Sequence, residues 1–119
     1  MKASKARKTA SGRQTNTRVV LVTVSSIREG RRIANRVVKK RLAACVNILR
    51  SPVRSIYRWK GKIEVATEYF LVIKTTASGY AALEKEITQM HSYDVPEIVA
   101  LPIAAGAPKY LAWLGASVE

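Results

Sequence analysis

The hydrophobic positions fall into short blocks whose period changes along the chain. "VVLVTV" (19–24) is apolar on both parities and rich in β-branched residues, which predicts a buried strand. Ser26 followed by Glu29 has the form of a capping box, and Ile27, Ile33, Ala34, Val37, Val38 and Leu42 recur at helical spacing. A first helix is expected from about Ile27 to Leu42. Residues 43–76 predict two strands around "WKGK", where Gly61 permits a positive φ, with Ser51 and Pro52 interrupting the first. Tyr80, Leu83, Ile87 and Met90 share one helical face. "PEIVALPI" (96–103) predicts a further strand, and "APKYLAWLGASV" (107–118) a short closing helix with Pro108 in its first turn.

The order β-α-β-β-α-β-α predicts an α+β fold of ferredoxin-like, split β-α-β type: an antiparallel sheet with helices on one face, plus a short C-terminal helix. The other face of such a sheet is polar when it meets water, with strict alternation along each strand. "VVLVTV", "YFLVIK" and "IVALPI" do not alternate. Another copy of the chain is the simplest cover, so an oligomer is expected.

Charge changes the picture at one end. The net charge is +13, but residues 1–18 hold six of the 21 Lys and Arg and none of the 8 acids. With no large aliphatic residue after Met1, this segment has nothing to bury against the entropy of ordering it. We expect a disordered basic extension over 1–18 and one folded domain over 19–119. An arm of this kind contacts nucleic acid or another polyanion weakly and in a salt-dependent way. It is rich in Arg, Ser and Thr, as organellar targeting peptides are, but lacks their apolar stripe. No apolar run approaches the roughly 20 residues that cross a bilayer, so no membrane insertion is expected. The single cysteine allows no internal disulfide, which suits the cytoplasm. The first helix also carries a basic run, Arg28, Arg31, Arg32, Arg36, Lys39, Lys40 and Arg41, off its apolar stripe.

Candidate chemistry is sparse. Cys45 and His91 are each alone of their kind, so one chain cannot build a closed Cys/His zinc site. A metal would need carboxylates such as Glu64, Glu68, Asp94 or Glu97, or ligands from several subunits. In its plain reading Cys45 is a small buried hydrophobe, and His91 ends the second helix, its ring beside free carbonyls. No phosphate loop, GxGxxG or catalytic triad spacing is present, so no enzyme is indicated.

"RLAACVNI" (41–48), "SIYRWKGKIE" (55–64), "VIKTT" (72–76), "HSYDVPEIVALPI" (91–103) and "YLAWL" (110–114), taken in order, resemble the CutA family of divalent-cation tolerance proteins. The resemblance implies a ferredoxin-like homotrimer, like that of the PII signalling proteins, and a binding role in tolerance of copper and other divalent cations. It also implies an intersubunit cleft holding Cys45, Tyr57, Trp59, Glu68, Lys74, His91, Tyr93 and Glu97. His91 and Cys45 would be the soft ligands for copper(II), with Glu68 and Glu97 as oxygen donors. Lys74 favours an alternative in which the cleft takes an anionic small molecule, as in a PII-like signalling trimer. The basic extension and the positive first helix depart from the family pattern.

Overall fold

The computed structural model of the chain describes residues 15–119. Strand β1 (Thr17–Val24) starts two residues before the expected Val19. The amide of Thr15 donates to the Ile103 carbonyl at 3.1 Å and that of Ile103 to the Thr17 carbonyl at 3.1 Å, which extends pairing past the apolar run. The rest of the expected extension lies outside the described residues.

Helix α1 (Ile27–Lys39) begins as the capping signal implied, with the Glu29 amide donating to Ser26 Oγ at 3.1 Å. It ends three residues before the expected Leu42. Arg41 adopts φ 59°, and the amides of Arg41 and Leu42 donate to the carbonyls of Val38 and Val37 at 3.0 and 2.9 Å. This is a Schellman closure with arginine where glycine is usual. The arginine is held from the other end of the chain: its Nη2 donates to the Ala116 carbonyl at 2.8 Å, and its own carbonyl accepts from the Glu119 amide at 3.0 Å.

The remaining elements are β2 (Cys45–Ile48), β3 (Val53–Trp59), β4 (Lys62–Thr76), α2 (Tyr80–Met90), β5 (Ile98–Pro102) and α3 (Pro108–Ser117). All strand pairs are antiparallel, in the order β2-β4-β1-β5. Strand β3 pairs with the first half of β4, from Val53 opposite Glu68 to Trp59 opposite Lys62. Strand β2 takes the second half, so the break at Ser51 and Pro52 divides one long edge into two partners. Lys60 and Gly61 join β3 to β4 with φ of 50° and 80°. Positive φ at both positions of a two-residue loop matches the twist of the flanking strands.

Val20, Val22 and Val24 of β1 and Leu71 and Ile73 of β4 point to one face, where Ile33 and Val37 of α1 and Leu83 and Ile87 of α2 meet them; all are fully buried. Each such side chain stabilises the fold by roughly 1.5–3 kcal/mol. Gly30 lets α1 come this close, since a Cβ there would stand 3.0 Å from Leu71 Cδ2. Arg36 and Lys40 both reach Glu86 at 3.0 Å, so part of the basic run ties α1 to α2.

The opposite face carries Val19, Leu21, Phe70, Val72, Val99 and Leu101, of which Val99 and Leu101 are about half exposed. Helix α3 covers only its Thr17 and Thr76 end: Tyr110 lies beside Cys45, and Leu114 is fully buried. Beyond the body of the sheet the β3–β4 hairpin projects with Ile56, Ile63 and Val65 exposed.

Candidate functional site

The site is assembled where the hairpin leaves the sheet and the loop after α2 folds over it. His91 ends α2: its amide donates to the Ile87 carbonyl at 2.9 Å, but its ψ of 142° is extended. Its side chain is fully buried. Nδ1 accepts the Tyr93 amide hydrogen at 3.1 Å, so Nε2 carries the ring proton and donates to the Thr23 carbonyl at 2.8 Å. The ring thus bonds a strand carbonyl and not the free carbonyls of its own helix. Both nitrogens are engaged, and a metal would have to displace the Tyr93 amide to reach Nδ1.

Glu29 holds the same loop from α1. Its Oε2 accepts from the Ser92 amide at 2.8 Å, and its Oε1 from the Ser92 and Ser25 hydroxyls at 3.0 and 3.1 Å. Burial raises its carboxyl pKa, but the Ser92 and Ser25 hydrogen bonds and the nearby His91 ring outweigh burial and leave it below the ordinary value.

So fixed, the loop presents Tyr93, whose hydroxyl donates to Glu68 Oε2 at 2.8 Å. Burial, and then the Glu68 carboxylate, hold the Tyr93 phenol well above its ordinary pKa, so it stays a donor. Glu68 is only 7% exposed, and no Lys, Arg or His among the described residues forms an ion pair with it. Around this pair lies a cleft of about 560 Å³. Glu68, Asp94 and Glu97 supply three carboxylates, Tyr57, Trp59 and Tyr93 three aromatic rings, and Ile56 and Val95 apolar walls.

Five of the eight predicted residues therefore converge: Tyr57, Trp59, Glu68, Tyr93 and Glu97. His91 stands behind them as a brace. Cys45 and Lys74 face each other across β2 and β4, six positions along β4 from Glu68, or roughly 20 Å away within one chain. Lys74 Nζ donates to Asn47 Oδ1, and Cys45 Sγ lies 3.9 Å from Tyr110 Oη. Among the described residues no three His, Cys, Asp or Glu side chains cluster closely enough to hold a metal ion. Sequence reasoning missed Glu29 and Ser92 as the loop's anchors. The only signal for Glu29 was the capping box, which reads as a helix start.

The profile of the family described as "CutA1 divalent ion tolerance protein" matches residues 18–117. The chain belongs to this family. It is 43% identical over 100 residues to the divalent-cation tolerance protein CutA of Archaeoglobus fulgidus, a match covering 84% of this chain and 96% of that one. It is 46% identical over 96 residues to the chloroplastic protein CutA of Arabidopsis thaliana, a match covering 81% of this chain and 52% of the longer plant protein. Among solved structures, the divalent cation tolerance protein of Thermus thermophilus superposes with a TM-score of 0.84 at 46% identity, over 87% of this chain and 99% of that one. The CutA1 fold is thus the observed ferredoxin-like sheet with its three helices.

Proposed function

We propose that this member of the CutA1 family is a homotrimer that contributes to divalent-cation tolerance by binding a cation in the Glu68 cleft, without catalysis. The observation that carries the reading is the Glu68 carboxylate: it is more than nine-tenths buried, hydrogen-bonded to Tyr93, and without a cationic partner among the described residues. A buried charge is costly unless paired, and Asp94 and Glu97 add to the negative field there. The names of the relatives supply the divalent cation.

Copper(II) is the cation proposed first. Oxygen donors alone suit harder ions, whereas copper(II) gains from an imidazole, so copper binding would draw His91 Nδ1 away from the Tyr93 amide. Assembly supports the reading as well. A two-stranded hairpin is marginal alone in water, and the exposed Ile56, Ile63, Val65, Val99 and Leu101 need a cover that other copies of the chain would give. A second copy would also supply donors that one chain lacks.

The protein is proposed to act in the cytoplasm, although the plant relative is named as chloroplastic. The basic extension is proposed to make weak contact with nucleic acid or another polyanion. No helix among the described residues is long and apolar enough to cross a membrane. The alternative, an anionic ligand in a PII-like trimer, rests on Lys74 and the basic first helix; within one chain Lys74 is bonded to Asn47 and lies roughly 20 Å along β4 from Glu68. No observation favours it.

The test is calorimetric titration of copper(II) and manganese(II) into the full chain and into Glu68→Gln. A saturable site on each chain that is lost in the variant supports the reading, and uptake indifferent to Glu68 overturns it. Tighter binding of manganese than of copper would remove the copper preference alone.

A further inference from the structure

At about 560 Å³ the cleft has the size of a small-molecule pocket, far larger than a bare ion needs. Its shape follows from the strands. Ser55, Tyr57 and Trp59 alternate onto one face of β3, and the register sets Glu64 opposite Tyr57 and Glu68 opposite Val53 on that same face. Glu64 and Glu68 are four positions apart, or roughly 13 Å along β4. The result is a slot with the Glu68 carboxylate at one end and aromatic rings beside it, and the exposed Glu64 carboxylate stands on the same sheet face just outside its lining.

Two observations say what fills such a slot. Glu68 Oε2 takes the Tyr93 hydroxyl, while Oε1 takes no hydrogen bond from any described residue and is accessible, leaving an acceptor on a side chain that lines the cleft. The chain also carries its own example of an alkylammonium over one of these rings, with Lys60 Nζ 5.8 Å from the centroid of the Trp59 ring. A ligand matching both has separated ammonium groups joined by apolar chain.

We infer that the cleft also accepts a linear aliphatic polyamine, one ammonium on Glu68, a second toward Glu64, and the methylenes between them against Tyr57. The inference rests on the reading of the cleft as a cation site. A divalent metal satisfies the carboxylates and leaves the aromatic wall unused, whereas a polyamine uses both. Phosphate and other anions are excluded from the slot by the same carboxylates.

Calorimetric titration of spermidine into the full chain tests this, with butylamine as a single-ammonium comparator and copper(II) and manganese(II) titrated in parallel. Saturable spermidine binding is expected, at least tenfold tighter than that of butylamine and weakened at least tenfold both by Glu68→Gln and by Tyr57→Ala. Tyr57 is 45% exposed, so its removal should leave the fold intact, which the urea midpoint of that variant checks. Absence of spermidine saturation, equal affinity for butylamine, or binding unaffected by Tyr57→Ala overturns the inference. If a metal binds through Glu68 and spermidine does not, the inference alone fails. If neither binds, the cation reading fails with it.

Discussion

From Leu71 to Lys74, strand β4 runs between β2 and β1, and Leu71 and Ile73 are fully buried under two helices. From Lys62 to Thr67 the same strand has only β3 beside it, and none of its side chains is buried. Residue type does not separate the halves, since Ile63 and Val65 are as apolar as Leu71 and Ile73. What differs is the number of neighbours. One half is stabilised within the chain; the other presents an apolar surface that a single copy leaves open, and the candidate site lies at the junction.

The same kind of truncation in each half sharpens the contrast. Leu71→Ala should lower stability by about 2–5 kcal/mol, read from the urea midpoint, because the site is closed on every side. A loss below about 1 kcal/mol would mean the packed half is looser than its burial implies.

Acid should act next, on the loop that roofs the junction. The Glu29 carboxyl is held below its ordinary value of 4.5 in the folded chain. Its stabilising contribution is therefore complete above that pH and is lost as pH falls through the lowered value. Glu29→Gln should reduce stability at neutral pH and flatten the acid limb of the stability profile. An unchanged acid limb would show that Glu29 does not hold Ser92 in solution.

Ile63→Ala should have the smallest effect on the chain itself, within about 0.5 kcal/mol, as for most exposed positions. Its effect should appear in assembly, as a shift of the sedimenting species toward monomer on dilution. Unchanged sedimentation would remove Ile63 from the proposed trimer contact.

These differences also explain what was legible beforehand. The period of apolar residues marked the helices and four strands, one of which the structure divides into β2 and β3 at Ser51 and Pro52, and Ser26 and Gly61 marked a helix start and a hairpin turn because both act locally. The first helix was expected to run too far because Leu42 continues its period, while the stop is an arginine at positive φ secured by residues 75 or more positions away. In the site, the resemblance grouped Cys45, Tyr57, Trp59, Glu68 and Lys74, and the strand register sets all five on one face of the sheet. A shared face carries no measure of distance along a strand, and within one chain Cys45 and Lys74 lie at the far end from Glu68. The duty of His91 was hidden because its partner is a backbone carbonyl 68 residues earlier.

The pairing of β1 bears on how the chain is made. Among the described strands it is synthesised first and is the most enclosed in the finished sheet, with Val22 set between Leu71 and Ile98. At roughly 5–20 residues per second, a ribosome needs about 4–15 seconds to pass from Val22 to Ile98. Throughout that interval "VVLVTV" has at least one unpaired edge, and until β4 emerges it has two. During translation this stretch is the natural place for a chaperone to bind, and slowing elongation between codons 24 and 98 would lengthen the window for aggregation more than slowing it anywhere later.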